Sequence, residues 1–83
     1  MSVNLFSAAA LAALAADPDV EVRSTLAEKC DCTPDALERL AADADDGVRE
    51  QVAANRSTPR ACLERLASDP SPDVRACAAR RLR

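Results

Sequence analysis

The sequence predicts an all-α fold, a short α-solenoid of three two-helix repeats spanning residues 1–83. Three observations predict it. Residue types recur with a period of 26: Leu11, Leu37 and Leu63; Leu14, Leu40 and Leu66; Asp17, Asp43 and Asp69; Val22, Val48 and Val74; Arg23, Arg49 and Arg75. Within each period the apolar residues are spaced by three and four, as on one face of a helix. Proline, aspartate and the single glycine collect where helices must stop. Periods of 20 to 50 residues are the signature of stacked repeat architectures.

The units divide at about 7–32, 33–57 and 58–83. In the first, Leu11, Leu14 and Ala15 define one helix, and Val22 and Leu26 a second. In the second unit Thr33 caps and Pro34 takes the first helical position, where its missing N–H costs nothing. Leu37, Leu40 and Ala41 then form a narrow apolar stripe. A turn over 43–47 leads to a helix over about 47–54, with Val48 and Val52 inward, ending near Asn55. Ser57, Thr58 and Pro59 open the third unit, with its helix over 60–66. Thr33-Pro34 and Thr58-Pro59 are 25 apart whereas the leucines are 26 apart, so the loop over 29–32 holds one extra residue and the start of the 60–66 helix recovers it. Helices of 8 to 10 residues are too short to persist alone and must be held by stacking on their neighbours.

Composition narrows the function. Of the 83 residues 48% are hydrophobic, chiefly alanine and leucine, and Phe6 is the sole aromatic. Residues 1–16 resemble the apolar part of a secretory signal, but no lysine or arginine precedes Arg23, and Leu11, Leu14 and Ala15 lie in the repeat register. No apolar run approaches the roughly 18 residues of a membrane span. A cytoplasmic protein without a membrane role is expected. There is no histidine, and one glycine cannot build a phosphate-cradling loop. No nucleophile has a base placed beside it by a known motif. We therefore expect no enzyme and no cofactor.

The segments Val48-Arg49-x-x-Val52-Ala53-x-Asn55, Thr58-Pro59 and Leu63-x-x-Leu66-Ala67-x-Asp69-Pro70 resemble the leucine-rich repeat variant, a HEAT-like bacterial repeat, and the likeness extends over about residues 7–83. The resemblance implies a right-handed superhelix in which one helix of each pair is α and the other tends towards 3₁₀. Ala44 departs from the pattern where a proline would follow the aspartate, Arg81 stands where the second unit has Asn55, and Ala78 replaces valine.

The founding type of that family carries an iron-sulfur cluster in a separate cysteine-rich segment, which this sequence lacks. Its own cysteines match no standard ligand spacing for zinc or a cluster. Cys30 and Cys32 form a C-x-C pair in a loop, are expected to be exposed, and are the weak metal candidates. Cys62 and Cys77 read as small apolar residues within helices. A remnant metal or iron-sulfur association is thus a minor alternative.

Arg23, Arg49 and Arg75, with Arg80 and Arg81, are the candidate binding residues: a row of arginines can grip carboxylate or phosphate. In the competing structural reading each laddered arginine spans to an aspartate of its own or the adjacent unit. That removes the repulsion among arginines about one Debye length apart, and we favour it for the ladder. Residues 1–59 carry five basic and eleven acidic side chains, a net −6, and residues 60–83 carry six and three, a net +3. That polarity suggests head-to-tail self-association. Nucleic-acid binding through the arginines and the basic C-terminus is the rival, opposed by a pI near 4.8 and the lack of tryptophan and tyrosine. The expected role is non-catalytic: a scaffold or protein-interaction module whose partner the sequence does not name.

Overall fold

The computed structural model of the chain describes residues 8–29 and 32–83. Those residues form six α-helices, α1 (Ala8–Ala15), α2 (Val20–Ala27), α3 (Pro34–Ala41), α4 (Asp46–Ala54), α5 (Arg60–Leu66) and α6 (Pro72–Leu82), and no strand. They pair in chain order: α1 packs on α2, α3 on α4, α5 on α6. The pairs stack so that α2, α4 and α6 make one layer and α1, α3 and α5 the other, within a slab of 39 × 27 × 15 Å. This is the solenoid-like arrangement expected.

Local chemistry sets the helix starts. Asp19, Thr33 and Asp45 are the N-caps of α2, α3 and α4, their side-chain oxygens accepting from the N–H groups of Glu21, Ala36 and Val48. α5 differs. Helices α3 and α5 begin 26 residues apart, so the 25-residue spacing of the Thr-Pro pairs puts Pro59, and not Thr58, at the N-cap of α5, which has no side-chain cap. The Thr58 hydroxyl donates instead to the Val52 carbonyl at 2.6 Å, and the residue is buried.

Each pair is α throughout. The 3₁₀ character implied by the family resemblance is limited among the described residues to single turns at helix ends and in loops: closing turns where Ala16 bonds Ala13, Glu28 bonds Thr25, Ala42 bonds Arg39 and Ser68 bonds Arg65, and opening turns where Val22 bonds Asp19 and Cys62 bonds Pro59. Such i to i−3 bonds satisfy carbonyls at helix ends without altering the body of the helix.

The core is a continuous seam of the recurrent residues. Leu37, Leu40, Val48, Val52, Ala53, Val74 and Ala78 are 0% exposed, and Leu11, Leu26, Ala36 and Leu66 are nearly so. Leu14 and Val22, the counterparts of Leu40 and Val48, are only half-buried, because no helix pair covers that side of α1 and α2 among the described residues.

Candidate functional site: the arginine and aspartate ladder

Each repeated aspartate sits in the turn between the two helices of a pair, where its backbone is already committed to reversing the chain. Its Oδ1 accepts from the N–H two residues on: Asp19 for Asp17 (2.8 Å), Asp45 for Asp43 (2.9 Å) and Ser71 for Asp69 (2.9 Å). Such turns are the local preference of aspartate. The repeated arginine, six residues later in the following helix, donates Nη1 back to the aspartate's own carbonyl: Arg23 to Asp17 (2.6 Å), Arg49 to Asp43 (2.6 Å), Arg75 to Asp69 (2.8 Å).

The rest of the guanidinium reaches forward. Arg23 grips the carboxylate of Asp43 through Nε (2.7 Å) and Nη2 (3.3 Å), and Arg49 grips Asp69 in the same way (2.8 and 3.1 Å). Each arginine therefore ties the turn of its own helix pair to the turn of the next. The planar fork suits two parallel bonds to a carboxylate, which a lysine cannot make. The pairs are largely out of water, with side-chain exposures of 17% and 7% for Arg23 and Asp43, and 14% and 6% for Arg49 and Asp69. The hydrogen bond to Asp43 raises the Arg23 guanidinium against the opposing effect of burial, and Asp69 does the same for Arg49. Burial pushes the Asp69 carboxyl up. The bonds from Arg49 and the Ser71 N–H, with the charges of Arg49 and Arg75, outweigh it and hold the group below the usual aspartate range. The contacts between Arg60 and Glu64 and between Arg65 and Glu38 are by contrast well exposed. Such surface pairs contribute little.

The five candidate arginines thus fall into three groups. Arg23 and Arg49 are clamped within the stack. Arg75 is exposed and bonds only the carbonyls of Asp69 and Pro70 (3.0 Å for the latter); no carboxylate is ion-paired with it among the described residues. Arg80 is exposed on α6 with no bonded partner among the described residues. Arg81 has a role that its sequence position concealed. Buried Asn55, at the C-cap of α4, donates Nδ2 to the carbonyls of Ala27 (2.8 Å) and Lys29 (2.9 Å) at the end of α2. One period later Arg81 Nη1 meets the equivalent carbonyls of Ala53 (3.4 Å) and Asn55 (3.0 Å), and Ala54 (3.0 Å) between them. The residue that departs from the repeat pattern keeps its hydrogen bonds. A longer side chain is needed because α6 runs on to Leu82 where α4 stops at Ala54.

The cysteines are placed otherwise than the sequence suggests in one case. Cys32 is buried, 5% exposed, as part of the core beside Leu26, Ala27 and Ala36, and is not on the surface. The segment entering α3 must close over the seam, and a small apolar side chain fills that place. Cys30 lies outside the described residues. Cys62 and Cys77 are buried in α5 and α6 as the sequence implied. No group of three or more histidine, cysteine, aspartate or glutamate side chains among the described residues is placed to hold a metal ion.

Paired α-helices, a turn aspartate and a forward-reaching arginine define a helical repeat protein of solenoid type. The sequence profile of the family described as leucine rich repeat variant matches residues 46–71, one full period from the start of α4 to the start of α6, and this match supports the resemblance. That family is a non-enzymatic repeat family. No curated protein and no solved structure matches the chain. No helix among the described residues is long and apolar enough to cross a membrane.

Proposed function

We propose that the chain is a non-catalytic protein-interaction module of the cytoplasm, built from units at about 7–32, 33–57 and 58–83. One observation carries this reading. The recurrent side chains are turned into the stack, apolar ones into the seam and charged ones into the ladder, while the exposed positions of the second-helix layer do not recur. Glu28, Ala54 and Arg80 are one such set; Glu50 and Ala76, with half-buried Ser24 at the equivalent position, are another. A scaffold fixed by its repeating residues can vary this row for a partner without altering the fold, the usual division of labour in solenoids. The row mixes acidic, basic and small residues, which suits a protein surface better than a phosphate backbone. Engagement of Arg23 and Arg49 by aspartates weighs against nucleic acid in the same direction, since it removes two of the three laddered arginines. Burial of Cys62 and Cys77 as thiols fits a reducing compartment.

The test is affinity capture from a lysate of the native source with three baits: the chain itself, a Glu50→Lys/Arg80→Glu variant, and an Asp35→Lys control altered on α3 in the opposite layer. Partners retained by the chain and by the control, but lost from the double variant, are expected. Equal recovery by all three baits would remove the second-helix row as the binding face. Failure of any protein to be retained above a heat-denatured bait would remove the reading itself.

A further inference from the structure

Among the described residues the ladder is open at both ends, and the two open ends complement each other. Inside the chain every joint between successive helix pairs has the same three parts. An arginine of the earlier pair grips the aspartate twenty residues on, as Arg23 grips Asp43 and Arg49 grips Asp69. A polar side chain at the end of the later second helix donates to the last carbonyls of the earlier one, as Asn55 does to Ala27 and Lys29, and Arg81 to Ala53 and Asn55. The apolar side chains of the later pair, Leu40 and Val48 or Leu66 and Val74, are covered.

At the α1/α2 end each part is present with its counterpart missing among the described residues. Asp17 makes its turn bond to Asp19 but has no arginine across from it among those residues. Lys29, the positional equivalent of Asn55 and Arg81, is exposed. Leu14 and Val22 line an open groove of about 310 Å³ with Leu26, Thr25, Glu21 and Lys29. At the α6 end the missing counterparts are present. Arg75 is exposed and has no ion-paired carboxylate among the described residues, and the carbonyls equivalent to those of Ala27 and Lys29 are those of Ala79 and Arg81, at the end of α6.

We infer that a second copy of this chain docks head to tail, Arg75 of one molecule gripping Asp17 of the next as Arg49 grips Asp69 within the chain. The same step brings Lys29 of the following molecule to the closing carbonyls of α6 and covers its α1/α2 groove with α6. Three periods of 26 bring the second molecule into the register of a fourth unit, so the contact repeats the internal joint and needs no new geometry. The net charges, −6 over residues 1–59 and +3 over 60–83, attract in that orientation and repel in head-to-head or tail-to-tail pairing. A contact between unlike faces does not close on itself at two copies, so it propagates to open chains. This inference stands apart from the second-helix row and from any partner bound there.

Sedimentation velocity of the full chain at low ionic strength tests it. The expected result is a weight-average mass that rises with concentration and falls as salt shortens the screening length from about 30 Å at 0.01 M to about 3 Å at 1 M. Arg75→Ala, which removes the tail, and Asp17→Arg, which removes the head, should each sediment as monomers. Mixed one to one they should form dimers and nothing larger, because only one productive head and tail remain. That mixture also guards against misfolding, since a variant that had lost its fold could not form the dimer. A wild-type monomer at every concentration in low salt would overturn the inference, as would association left unchanged by both substitutions.

Discussion

Replacing Asp69 by asparagine tests the ladder as a stabilising device. The change keeps the side-chain volume and an oxygen for the Ser71 N–H, but sets an amide donor against one arm of Arg49, which now bonds Asp69 at 2.8 and 3.1 Å. Hydrogen bonds to charged partners contribute about 1.5–3 kcal/mol each, and removing one member of a buried pair costs about 3–5 kcal/mol. Arg49 keeps its bond to the Asp43 carbonyl and 14% of its side-chain exposure, so water recovers part of the loss. The expected destabilisation is about 2–3 kcal/mol, a large share of what a chain of this size has. Urea unfolding followed by far-ultraviolet circular dichroism measures it, in a cycle with Arg49→Met to isolate the pairwise part. The pH dependence is a second check. The folded Asp69 carboxyl titrates below its unfolded value of about 3.9, so its contribution is complete above that value and is lost as pH falls through the lower folded one. The difference between wild type and variant should be constant near neutrality and shrink in acid. A loss below about 0.5 kcal/mol, or a difference that does not shrink in acid, would refute the reasoning.

Arg81→Ala should destabilise by about 1–2 kcal/mol through the loss of its bonds to the closing carbonyls of α4, read from the urea midpoint; an unchanged midpoint would show those carbonyls equally well served by water. Gly47→Ala places a Cβ 2.9 Å from the Asp45 Oδ1 that caps Val48, yet the equivalent Glu21 coexists with Asp19 capping Glu21 itself. The cap should shift by one residue and stability should rise by up to about 1 kcal/mol from helix propensity; a loss of that size in thermal melts would mean that the cap was not regained. Leu37→Ala, at a fully buried site on the α3 seam, should cost about 3 kcal/mol or more and leave little folded population at 37 °C by circular dichroism. In a Cys30→Ser background, Cys32, Cys62 and Cys77 should react with a bulky thiol reagent only at the rate of structural opening, which urea accelerates; full labelling within the mixing time would contradict their burial.

The apolar skeleton was legible in the sequence because it is a local signal. Leu37 and Leu40 report the face of α3 by spacing alone, and Thr33-Pro34 reports its start. The ladder was legible only as recurrence. Spacing showed that Arg49 and Asp43 keep step, but not that Asp43 offers Arg49 a backbone carbonyl while its carboxylate serves Arg23 of the pair before. Both arrangements satisfy the same periodicity, and only the stacking distance chooses between them. Arg81 was legible only as a departure, since equivalence of hydrogen bonds between an asparagine and an arginine depends on where each helix ends. Cys32 misled because a loop residue carries no periodicity from which burial could be read.

The distinction between skeleton and ladder also says which of them sets the shape. Leucine, valine and alanine seams attract without direction, and short apolar faces slide over one another at small cost. A guanidinium fork gripping a carboxylate, with its third nitrogen on the preceding carbonyl, tolerates little rotation. Arg23 and Arg49 repeat that constraint at successive joints with bonds matching to within 0.2 Å. The apolar seam therefore supplies most of the attraction between helix pairs, whereas the angle from one pair to the next is set by the turn aspartate and the arginine that reaches for it. It follows that a lysine at position 49 would keep the charge and still loosen the joint, because a single ammonium cannot hold two oxygens and a carbonyl in one plane.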